Sequence, residues 1–128
     1  MIRIVRLGTP RAADEGLRLG TVRRPPRGVP KADCARRDFY DVWVPELAPS
    51  PELFSWVKSG PLTDARWRHY ARRYRAEMKR PEARRLIELL AALSARTNFS
   101  VGCYCEVEAR CHRALLRELF VEAGAKVS

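Results

Sequence analysis

The chain has 128 residues, 46% apolar and 31% charged, with a formal net charge of +10. That length supports one hydrophobic core without staples, and the balance of apolar and charged residues excludes a disordered chain. No apolar run is long enough to span a bilayer, and the opening "MIRIVRLG" alternates charge with apolar residues instead of building a signal-peptide core. A single-domain cytoplasmic protein with no membrane partner is expected over residues 1–128.

"IRIVRL" (Ile2–Leu7) alternates with period two and predicts a short strand. "GTPRAADEGLRLG" reads as a loop, "TVRR" (Thr21–Arg24) as a second short strand, and "PPRGVPKAD" as irregular chain, because its prolines and glycine forbid a regular helix or a central strand. "DFYDVWV" (Asp38–Val44) is aromatic and β-branched, which predicts a strand that Pro45 ends.

Helices follow. Ser50 caps the first, with Pro51 at its first position and Gly60 as its stop. Thr63 caps the second, whose Trp67, Tyr70, Ala71, Tyr74 and Met78 form one stripe among Arg66, Arg68, Arg72, Arg73 and Arg75. A third starts near Pro81 with Leu86, Leu89, Leu90 and Leu93 on its apolar face. "NFSVGCYC" predicts a strand buried at the centre of a sheet, and a last helix is expected from about Ala109 to Ala123. The order predicts an α/β fold: a small single-domain sandwich with a partly parallel central sheet flanked by helices.

Taken in order, "RPPRGVPK" (Arg24–Lys31), "WVPELAPSPELFSW" (Trp43–Trp56), the helical set Trp67, Tyr70, Arg73, Tyr74 and Glu77, and "CYCEVEARCHR" resemble the YeaO-like family, the domain of unknown function numbered 488. The resemblance spans nearly the whole chain. It departs at Pro25, where many relatives have tryptophan, and members close to YeaO lack the cysteine-rich strand end. It implies an α/β fold with a pocket and supplies no reaction.

The chemistry gathers at "VGCYCEVEARCHR" (Val101–Arg113). Alternation in a strand would point Cys103 and Cys105 one way and Tyr104 the other. The carboxyl end of a sheet strand, followed by a helix N-terminus, is a usual ligand position and favours both anions and thiolates. The expected arrangement is therefore an anion pocket. Cys103 and His112 would be the reactive pair, and Arg24, Arg27, Arg113 and Glu106 would be the ligand-binding residues. Arginine pairs bidentately with phosphate or carboxylate, which points to a phosphate-bearing or other anionic small molecule as partner. Glu106 and Glu108 also read as carboxylates that complement a helix dipole.

A thiolate loop of the Cys-five residues-Arg type is excluded by register. It would need arginine where Ala109 and Cys111 stand, and Arg110 misses both positions. Zinc on Cys103, Cys105, Cys111 and His112 has the right ligand types but poor spacing, since adjacent Cys111 and His112 side chains should diverge; no metal or other cofactor is expected. Cys34 lies far from the other cysteines along the chain. Reduced cysteine also fills cores, and Cys105 and Cys111 read singly as such. The alternative from another class is a non-catalytic nucleic-acid-binding protein that uses the arginine-rich second helix.

Overall fold

The computed structural model describes all of Met1–Ser128. Four strands, β1 (Ile2–Arg6), β2 (Leu17–Gly20), β3 (Val42–Trp43) and β4 (Phe99–Cys103), form one sheet in the order β1-β4-β2-β3. Four helices accompany them: α1 (Pro51–Lys58), α2 (Asp64–Glu77), α3 (Pro81–Leu93) and α4 (His112–Glu122). The fold is α/β, as expected. All three strand pairings are parallel, in keeping with a sheet expected to be at least partly so. No helix is long and apolar enough to cross a membrane.

β4 is fully buried because it pairs on both sides, with β1 and with β2. Ile2, Leu19, Phe99 and Val101 share one face of the sheet and pack with Leu53, Tyr70, Tyr74, Ile87, Leu90, Leu115, Leu116 and Phe120 from all four helices. The helix signals hold where they have a local cause. The Ser50 side chain accepts from Leu53 N at 3.2 Å, and Thr63 Oγ1 accepts from Arg66 N at 3.2 Å. The buried Glu77 carboxylate reaches back from α2 to accept from Ser50 N at 2.8 Å and from the Ser50 hydroxyl, which ties the start of α1 to the end of α2.

The opposite sheet face is covered by irregular chain. Arg18, on that face of β2, is fully buried and forms a bidentate pair with Glu15 at 2.7 and 3.0 Å. It also donates to the carbonyls of Thr9 at 2.8 Å and Asp38 at 2.7 Å, while Ser100 Oγ on β4 donates to Glu15 at 2.6 Å. One guanidinium thus gathers the β1–β2 connection, the segment before β3 and the central strand. Gly20 leaves room on the same face for Tyr40, since a Cβ there would stand 2.4 Å from the ring.

Three boundaries differ from the sequence reading. The second strand is Leu17–Gly20, which read as loop, and Thr21–Arg24 is not a strand. The segment that read as a strand over Asp38–Val44 keeps only Val42–Trp43, because Asp38 turns through φ 63° and Tyr40 folds over Gly20. The last helix begins at His112, not Ala109, because Cys111 is extended (φ −120°, ψ 153°) and residues 108–110 make a separate 3₁₀ turn.

Removing one partner of a buried, hydrogen-bonded ion pair leaves a bare charge. Glu15→Ala is expected to lower stability by about 3–5 kcal/mol in urea denaturation. The hydrogen bonds from Arg18 and Ser100 outweigh the burial that would raise the Glu15 pKa and bring it down to about 2. The folded value lies below the unfolded one, so this stabilisation is present above the ordinary carboxylate range and is lost as pH falls towards about 2. Denaturation curves across that window should show a decline in the wild type that Glu15→Ala lacks.

Candidate active site

The carboxyl end of β4, the start of α4, the proline-rich segment after β2 and the end of α1 meet at one cleft of about 640 Å³. Its lining includes Arg24, Arg27, Phe54, Lys58, Cys103, Tyr104, Cys105, Cys111 and His112, and it contains no Asp or Glu.

Carbonyls of the segment Thr21–Pro30 help to hold it in place. His112 Nε2 donates to Thr21 O at 2.6 Å, Trp43 Nε1 to Val22 O at 2.8 Å and the Tyr104 hydroxyl to Arg24 O at 3.0 Å. Thr21 itself continues onto β4, donating to Gly102 O from its backbone N–H at 3.1 Å and from Oγ1 at 3.0 Å. Three donors from separate parts of the chain therefore fix the arm that carries Arg24 and Arg27.

His112 is buried, and its bond to a carbonyl fixes the tautomer. A carbonyl only accepts, so Nε2 carries the proton and Nδ1 keeps its lone pair, which faces Cys111 Sγ at 3.7 Å. Burial brings the His112 pKa down to about 4, so the ring is neutral at ordinary pH. Cys103 and Cys105 sulfurs lie 3.7 Å apart. Cys103 and Cys111 are buried and Cys105 is exposed, and none of the four cysteines is in a disulfide. The hydrogen bond that the Cys103 thiol donates to Cys105, the neighbouring Cys111 sulfur and burial push its pKa up. The neighbouring Cys103 and Cys105 sulfurs and Arg113 push the Cys111 pKa down.

Arg113 is buried behind this floor. It donates to Cys105 O at 2.7 Å, its Nε has no partner, and it has no salt bridge to a carboxylate. Arg24 and Arg27 are exposed at the rim of the cleft. Glu106 is not part of the lining: it is exposed and stands 3.6 Å from Arg6. Tyr104 departs from the expected alternation and lines the cleft together with both cysteines, because the strand ends at Cys103 and the pleat ends with it. The expected divergence of Cys111 and His112 fails for a similar reason. Extended Cys111 turns directly into the helix that His112 opens, and their side chains stay together.

The family model described as the Active DUF488-N3 subclade matches residues 2–124. The chain belongs to the DUF488 family. No curated protein and no solved structure matches it. In this DUF488 chain the sequence reading missed Lys58, whose ammonium stands 4.1 Å over the Phe54 ring at the cleft. Its position as the last residue of α1 gives a dipole reason for a cation there and no sign of the cleft.

The arginines of α2 do not act as one field. Arg66 lies 4.0 Å over the Trp56 ring and donates to Trp56 O at 2.8 Å, while Arg75 pairs with Glu118 and Glu122. Only Arg68, Arg72 and Arg73 are exposed without such partners.

Tyr104→Phe removes one of the three donors that hold the arm. It is expected to cost about 0.5–1.5 kcal/mol in urea denaturation with the circular dichroism spectrum unchanged.

Proposed function

We propose that this DUF488 protein binds a small anionic molecule with a flat or apolar body in the cleft between the "RPPRG" arm and the end of β4. One observation carries the reading: Arg24, Arg27 and Lys58 converge on a cleft with no acidic residue, and none of the three has a carboxylate partner. Cations left unneutralised around an apolar concavity suit phosphate or carboxylate, and a cleft of this volume suits a ligand of nucleotide size. Tyr104 offers an aromatic surface for the body of the ligand, and its inner end reaches the floor of Cys103, Cys111 and His112. Membership of a subclade described as active agrees with a floor that carries reactive groups. The net charge of +10 draws anions towards the rim.

The rival reading, nucleic acid held by α2, has less support because two of its five arginines are turned inward or paired within the protein.

Thermal shift with adenosine monophosphate, ribose 5-phosphate and polyuridylate separates the two readings. The mononucleotide is expected to raise the melting temperature. Arg27→Glu and Lys58→Glu should each weaken its binding by about tenfold or more, the loss of a charge-assisted contact, while Arg72→Glu changes nothing. Stabilisation by polyuridylate alone, abolished by Arg72→Glu, would overturn the cleft reading.

A further inference from the structure

The floor of the cleft brings together donors for a metal. Cys103 Sγ, Cys111 Sγ and a His112 ring nitrogen lie within 4.8 Å of one another, all on buried residues. We propose that these three groups, completed by Cys105 at the cleft mouth, bind one divalent cation of the zinc class.

Four features of the site carry the assignment. The first is spacing. In a tetrahedral zinc site with Zn–S of about 2.3 Å and Zn–N of about 2.0 Å, neighbouring sulfurs stand roughly 3.8 Å apart, and sulfur and nitrogen roughly 3.5 Å apart. Cys103 and Cys105 are 3.7 Å apart, and Cys111 and His112 Nδ1 are also 3.7 Å apart. The second is the tautomer. Nδ1 holds a free lone pair because Nε2 donates to the Thr21 carbonyl, the outer hydrogen bond that orients a ligating histidine and raises its basicity.

The third is charge. Three thiolates around a divalent cation leave a net charge of −1, and a cation buried beside them balances it. Arg113 is 4% exposed, touches the Cys105 carbonyl, lacks a carboxylate and has an unpartnered Nε. A guanidinium buried without an anion is costly, and the metal–thiolate centre supplies that anion. The fourth is ligand type: thiolate and imidazole select zinc-class ions over magnesium or calcium.

Cys105 is exposed with its sulfur 3.7 Å from that of Cys103, and on this proposal its side chain turns towards Cys111 and His112 to take the fourth position. On binding, the three thiols release their protons to solvent, and no oxidant or reductant is required.

Cobalt(II) titration of the reduced, chelator-treated full chain, followed by zinc competition, tests the site. The expected result is one ion per chain, with the visible bands of tetrahedral cobalt and a near-ultraviolet thiolate-to-cobalt band, both abolished by zinc. Cys111→Ser and His112→Asn should weaken binding by about a hundredfold or more, beyond the loss caused by removing an outer-shell partner. Cys34→Ser should leave binding unchanged. Those first two positions are buried, so Cys105→Ser, at an exposed position, supplies a variant expected to keep the fold; it should bind more weakly, with a fainter thiolate band. A pale octahedral spectrum, binding retained in Cys111→Ser, or an unchanged band in Cys105→Ser would overturn the proposal. The titration contains no nucleotide, so failure of the anion reading leaves its outcome untouched.

Discussion

The hydrogen bond from His112 Nε2 to the Thr21 carbonyl holds the site together. It joins the first residue of α4 to the residue that follows β2 and so ties two parts of the chain that are distant in sequence. It also decides which ring nitrogen carries the proton and leaves Nδ1 facing the Cys111 sulfur. The arm that carries Arg24 and Arg27 starts at the same carbonyl, so the position of the rim cations depends on the orientation of the imidazole at the floor.

That bond can form only because of the sheet. β4 runs parallel between β1 and β2, which brings the carboxyl ends of β2 and β4 side by side and sets Thr21 against Gly102. Two kinds of cover then fix the sheet. Apolar side chains from the helices fill one face, while on the other the Arg18–Glu15 pair gathers chain that has no regular structure of its own. The polar cover specifies more than it stabilises. A buried guanidinium with fixed carbonyl and carboxylate acceptors tolerates one arrangement of the loops, whereas apolar contact would tolerate several.

Cations and sulfurs are arranged with similar economy at the cleft. Arginine and lysine stand at the rim, where water solvates them, and Arg113 stands beneath the thiols with almost no solvent to share its charge. That buried cation helps to push the Cys111 pKa down.

The sequence by itself determined the helices, the central strand and the two segments that form the cleft. Helix caps such as Ser50 and Thr63, stops such as Gly60 and the apolar run of β4 act through neighbours in the chain, so their signals are local. Tertiary structure alone decided the placement of β2 at Leu17–Gly20, a four-residue strand whose burial comes from Arg18 and Tyr40, not from any periodic pattern of its own. It also decided that Glu106 turns away towards Arg6, that Lys58 joins the rim and that Tyr104 faces the cleft. Which of the neighbouring sulfurs donates and which accepts is likewise decided only where they meet. Hydrogen-bond direction and charge compensation belong to groups that meet only on folding, and no spacing along the chain encodes them.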